Sequence, residues 1–198
     1  MANRSYLYTT NHLPESPEWE EVRDLHGISE WNYDIPIAFK LLLAGDPMAV
    51  NSSIWETPEK IAIAGDFKAG LATLNNYLSR LPPEAEALVN ETKSFLSKSS
   101  NERKYFILEC GEIFDMEEGS LEAKNLALIE EIKSIGNEVD ALAVPEPITP
   151  EEPQVGLLGK LLGRKQELPK HDPLQPFYGL GLGNWSNILY FQFGDEKA

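Results

Sequence analysis

Few residues in this chain have types and spacings suited to chemistry, and each has a plainer structural reading beside the chemical one. Cys110 stands next to Glu109 and close to Glu112, with His12, His26 and His171 scattered elsewhere. A thiol and an imidazole make a nucleophile and its base when they meet. Carboxylates beside a thiol raise its pKa and suppress the thiolate, so Cys110 reads as a small core residue. None of the three histidines has a second ligand at helical or hairpin spacing, so no zinc site is expected. Glu112, Asp115, Glu117 and Glu118 are the right type for a hard cation. The glycine-centred loop that would wrap one is missing, and a solvated acidic turn is the simpler reading. Gly179, Gly181 and Gly183 would let backbone N–H groups approach a phosphate. A phosphate cradle follows a strand and opens a helix, whereas these follow a Pro-rich stretch, so they read as a turn. The sequence therefore assigns no catalytic residue, no metal and no cofactor.

The strongest candidate for recognition is Ser29-Glu30-Trp31-Asn32-Tyr33-Asp34-Ile35-Pro36. Trp31 and Tyr33 offer large rigid contact area with a polar handle, as binding hot spots do, and Asn32 and Asp34 add directional hydrogen bonds. These four residues are the expected partner-binding set. In the competing reading Asp34 only caps a helix and the two rings cover its first turn; one segment can do both.

Charge narrows the partners. The 198 residues carry 32 acidic and 17 basic side chains, a net charge of -15, while 42% of them are hydrophobic. An ordinary core inside a strongly acidic surface repels nucleic acid and anionic membranes and attracts basic proteins. No apolar run reaches the roughly 18–20 residues of a membrane-spanning helix, so no stable membrane insertion is expected. The single cysteine and an opening without an apolar leader suggest a cytoplasmic protein.

The elements that must position these residues follow from pattern. Arg4–Thr10, rich in Tyr and Thr, predicts a first strand, followed by an acidic turn-rich stretch to about Glu30. Asp34 is the predicted N-cap of a helix through Ile37, Leu41 and Leu42 that stops at Gly45-Asp46-Pro47. Ile61–Ala64 predicts a short strand, and Asp66 caps a helix with Phe67, Leu71, Leu74, Leu78 and Leu81 on one stripe. Pro82-Pro83 breaks the chain and seeds a further helix bearing Ala85, Leu88, Phe95 and Leu96, so that the two form a hairpin. Lys104–Cys110 reads as a buried strand. Gly119-Ser120 opens the longest helix, to about Leu142, whose seam (Leu121, Leu128, Ile132, Ile135, Val139, Leu142) faces either the core or a second copy. Residues 144–176 hold seven prolines and read as a linker or long loop. Inside it, Val155–Lys165 is apolar and basic, the type of segment that pins a loop or touches a membrane surface. Ser186–Phe193 alternates and predicts a closing strand.

Met1–Tyr8, Ser29–Pro36 and Ile61–Phe67 together resemble an uncharacterised bacterial family, a domain of unknown function. The resemblance covers about the first two thirds of the chain. It implies a bacterial cytoplasmic origin and transfers no catalytic residue.

The expected architecture is a single α+β domain with a small, mainly antiparallel sheet under about four helices and a long Pro-rich loop. Residues 1–143 would be the body, 144–176 the linker, and 177–198 the strand returning to the sheet. The expected function is a non-enzymatic acidic module that binds a basic protein, of the immunity, neutraliser or adaptor type. The alternative is a small-molecule hydrolase whose site assembles only in three dimensions, with His12 or His26 beside a carboxylate. Membrane or assembly recruitment through Val155–Lys165 is a third reading. Oligomeric state is not legible in the sequence.

Overall fold

The computed structural model describes residues 3–148, 172 and 174–191. Among these lies one antiparallel five-stranded sheet: β1 (Arg4–Thr10), β2 (His26–Asn32), β3 (Met48–Val50), β4 (Ala62–Asp66) and β5 (Tyr105–Glu109), in the order β2-β1-β5-β4-β3. The helices are α1 (Trp19–Val22), α2 (Ile37–Leu43), α3 (Phe67–Leu78), α4 (Glu86–Leu96), α5 (Gly111–Phe114), α6 (Leu121–Asn137) and α7 (Gln175–Tyr178). The protein is thus a single α+β domain.

β5 is flanked by β1 and β4, with Leu7 opposite Leu108 and Ile63 opposite Leu108. Its continuous apolar run fits that position, because an inner strand covered on both faces cannot alternate. One face of the sheet carries Leu7, Ile63, Phe106 and Leu108 and packs under α2, α3, α4 and α6 in one cluster that includes Phe39, Leu42, Leu74 and Ile132. Gly70 makes this layer possible: a Cβ there would lie 1.8 Å from the Leu42 carbonyl oxygen, so only glycine lets α2 and α3 cross this closely. The seam of α6 belongs to this core, with Leu128, Ile129 and Ile132 buried.

The other face carries Tyr6, Tyr8, Ala62, Ala64 and Ile107, and it is covered by loops and by the C-terminal segment, through Leu13, Leu25, Ile54 and Leu189. Polar groups are buried there. Glu109, 1% exposed, accepts hydrogen bonds from Ser52 Oγ (2.7 Å), Ser53 N (2.7 Å) and Ser53 Oγ (2.5 Å). Burial raises its pKa, and the serine donors offset that only in part. Tyr6 Oη donates to Glu112 (3.0 Å), and burial with that carboxylate raises the phenol to about 12.

The capping expectations divide. Asp66 Oδ1 accepts from Ala69 N, and Ser120 Oγ accepts from Ala123 N, as their sequence positions predict. Asp34 does not cap α2. Pro36 occupies the N-cap position, and Asp34 Oδ1 instead accepts from the adjacent Ile35 N, because the extended Pro36 separates it from the first turn. β2 lies where an acidic turn-rich stretch was expected, and β3 lies where no element was assigned. Ser186–Phe191 form no ladder: Ser29 to Trp185 is the β-bridge, and the segment's remaining ties to the sheet are single hydrogen bonds, with Leu189 buried and Ile188 77% exposed. Gly181 and Gly183 have left-handed φ values of 89° and 86° and shape the turn that leads into it. Val155–Lys165, His171 and Phe193 lie outside the described residues.

Candidate partner-binding cleft

β2 is one edge of the sheet, and edge strands present backbone groups that something must cover. Here the C-terminal segment covers part of it. Ser186 N donates to Ile28 O (3.0 Å), Ser29 Oγ to Asn184 O (2.7 Å), and Asn187 Nδ2 to both Gly27 O (2.7 Å) and Asn101 Oδ1 (2.9 Å). Farther along, Tyr190 N donates to Glu30 Oε2 (2.7 Å) and Tyr8 Oη to Phe191 O (2.8 Å). Between the end of β2 and this segment a cleft of about 670 Å³ opens, with Glu30, Trp31 and Asn32 on one wall and Gly183–Ser186 and Ile188 on the other.

Each wall holds a tryptophan. Trp185 is fixed from behind: its indole Nε1 donates to Thr92 Oγ1 (2.8 Å), and its ring stacks on Phe95 at 6.1 Å. Trp31 is half-buried against the helix-covered core. Around the cleft Tyr33 (60%), Ile188 (77%) and Tyr190 (58%) are exposed, and such large apolar groups gathered at one edge are the composition of an interaction surface. Glu30 Oε1 lies 3.4 Å from Arg4 Nε, and the Arg4 guanidinium sits 4.6 Å from the centre of the Tyr190 ring. This pair ties β1, β2 and the C-terminal segment together at the cleft.

Of the four residues expected from sequence, Trp31 and Asn32 line the cleft. Tyr33 and Asp34 follow on the turn just beyond it, both exposed. Tyr33 is held in the left-handed region (φ 62°) with its N–H donating to Asn3 O. The opposite wall was not legible, because Gly183–Ile188 approaches β2 across more than 150 positions of chain. The one local trace is Trp185, which follows the glycine-rich turn after Asn184.

The other candidate chemistry does not converge here. Cys110 is buried, and burial, then Glu109, raises its thiol pKa well above the ordinary value. His26 Nε2 meets the Asn101 amide oxygen at 3.1 Å rather than a carboxylate. Glu112 is turned inward onto Arg4 N and Tyr6, and among the described residues no three His, Cys, Asp or Glu side chains gather as metal ligands would. No helix among the described residues is long and apolar enough to cross a membrane.

Comparison with curated proteins finds no match, and comparison with solved structures finds none. A family of domains does match, over residues 11–146. That span contains Trp31–Asp34 and the Ile61–Phe67 segment, and it stops before α7 and the Gly183–Ile188 wall. The chain belongs to the domain family of unknown function DUF7822.

Proposed function

We propose that this protein is a non-enzymatic acidic binding module that engages a basic protein through the cleft at the β2 edge. The observation that carries the reading is the cleft itself, walled by Trp31 and Trp185 and flanked by the exposed Tyr33 and Ile188, in a chain of net charge -15. The acidic surface speeds encounter with a basic partner, and the aromatic groups hold the complex once formed. Trp31, Asn32, Tyr33 and Asp34 are the contact residues on the β2 side.

The test is recovery of partners with the full-length tagged chain from its own cells at low and moderate salt, beside a Trp31→Ala/Tyr33→Ala variant. The expected result is a basic protein retained at low salt, weakened by salt and lost with the double substitution. Retention indifferent to both overturns the reading.

A further inference from the structure

The cleft at the end of β2 is bounded by a strand edge that is paired along only part of its length. Tyr33 N donates to Asn3 O, and Trp31 and Ser29 stand opposite Ser5 and Leu7 in the same ladder. Successive residues of an antiparallel strand bond to opposite sides, so the main-chain N–H and C=O groups of Glu30 and Asn32 turn away from β1 toward the outer edge. The C-terminal segment takes up that edge at Ile28, whose carbonyl accepts from Ser186 N, and at the Ser29–Trp185 bridge. Alongside Glu30 and Asn32 it has moved off to α2, where Leu180 O accepts from Ala38 N and Gly181 packs on Pro36. Among the described residues no hydrogen bond reaches the main-chain groups of Glu30 or Asn32, and both residues line the cleft.

We propose, resting on the reading that this cleft is the partner's site, that the basic protein enters it as an extended segment added to β2 as a further strand. Main-chain donors and acceptors recurring at every second residue are the complement of another extended backbone.

The side chains suit such an occupant. Residues two apart share a face of a strand, as do bridged residues, so Trp31 and Trp185 stand on the same side of the edge, both against the helix-covered core. An added strand lays an apolar side chain against these rings. The next side chain along points to the other side, toward Glu30, the one charged residue among the described lining. Residues 183–186 and Ile188 bring no charge of their own, and a chain of net charge -15 favours basic residues at the exposed positions of the added strand. The occupant's sequence should therefore alternate apolar with basic or polar residues.

Short random peptides displayed on phage are selected on the immobilised full-length chain, and the tightest binder is synthesised as the probe. Its binding is followed by nitrogen-15 correlation spectra and amide hydrogen exchange. The Glu30 and Asn32 amides should exchange fast in the free chain and become protected with the probe. Methylating the probe's amide nitrogens at alternate positions should weaken binding about tenfold at each, the loss of one backbone hydrogen bond, and methylating the positions between should weaken it far less. Asn32→Pro deletes the outward N–H at an edge position that accommodates proline, and should weaken the probe by a similar factor; Asn32→Ala keeps that N–H and should weaken it less. The Trp185 indole signal, held by Thr92, reports that each variant is folded. The methylated probes leave the protein untouched, so they decide the matter even where Asn32→Pro fails to fold.

Failure to select a peptide, a probe that leaves both amides unprotected, or one indifferent to alternate methylation overturns the proposal. Protection of both amides in the free chain does so too, since another part of the chain or a second copy would then fill the edge. A probe that pairs with the edge but carries no basic residue upholds the added strand and counts against the basic-partner reading. A basic partner lost with Trp31→Ala/Tyr33→Ala but indifferent to Asn32→Pro upholds that reading and overturns the added strand.

Discussion

The two faces of this sheet are buried by different means. One lies under four helices and is apolar almost throughout, from Leu7 and Phe106 to Phe39 and Ile132. The other lies under loops and a C-terminal segment, and its buried groups include Tyr6, Tyr8 and Glu109 beside Ala62 and Ile107. A helix satisfies its own backbone, so it can cover a sheet with hydrocarbon alone. A loop cannot, and brings hydroxyls and amides that need partners. The loop-covered side therefore holds a cavity of about 490 Å³ walled by residues 51–57, while the cleft opens at the β2 edge with Trp31 and Trp185 packed against the helix-covered core.

The sharpest way to break this comparison is to show that the helix-covered face is not the energetic centre. Phe39→Ala removes a ring with no exposure and should lower stability by about 3–5 kcal/mol in denaturant unfolding. A loss below that of any loop-face substitution would reverse the assignment. Glu109→Ala is next: it leaves the Ser52 and Ser53 donors without their acceptor, at a cost of about 1–3 kcal/mol. Because Ser52 Oγ also accepts from Trp55 N, the substitution should also shift the Trp55 indole N–H signal in a nitrogen-15 correlation spectrum, which Phe39→Ala at a folded temperature should not do.

pH sharpens the contrast through two carboxylates with opposite signs. Glu109 has a raised pKa, so its contribution is full below the ordinary 4.5 and is lost as pH rises through the raised folded value. Asp24 is the reverse. Burial alone would raise it, but hydrogen bonds from Thr10 Oγ1, Asn11 N and Asn11 Nδ2 outweigh burial and lower it. Its contribution is full above the ordinary 3.8 and is lost as pH falls through the lowered value. Unfolding free energy measured against pH should therefore lose a downward slope in Glu109→Gln and an upward, more acidic slope in Asp24→Asn. Matching slopes in the two variants would contradict the network described for either.

The smallest effect on stability should come from the cleft. Tyr33 is 60% exposed, and Tyr33→Ala should change unfolding free energy by no more than about 0.5 kcal/mol. Its effect on retention of a basic partner should be far larger, and a variant that loses stability and retention in proportion would show that Tyr33 acts through the fold rather than at the surface.

Local signals were legible in the sequence where local chemistry decides the outcome. The Asp66 and Ser120 caps, the β1 boundaries and the apolar run of β5 follow from side chains acting on their own neighbourhood. Asp34 misled because a cap is a geometric relation, and Pro36 at the N-cap position put that side chain out of reach of the first turn. The edge strands were hidden for a related reason. His26-Gly27-Ile28-Ser29-Glu30 has no strong strand character, and it becomes a strand because β1 pairs with it.

By itself the sequence determined the class of fold, the net charge of -15, the aromatic pair Trp31 and Tyr33, and the longer helices with the Asp66 and Ser120 caps, since each rests on composition or on residues a few positions apart. Tertiary structure alone decided that Trp185 stands across a cleft from Trp31, that Glu109 is buried on two serines, and that Arg23 shares a cavity with Trp55. Those meetings join residues separated by tens to more than a hundred positions. Chain closure over such distances is specified by the packing of the whole domain, and no short stretch of sequence encodes it.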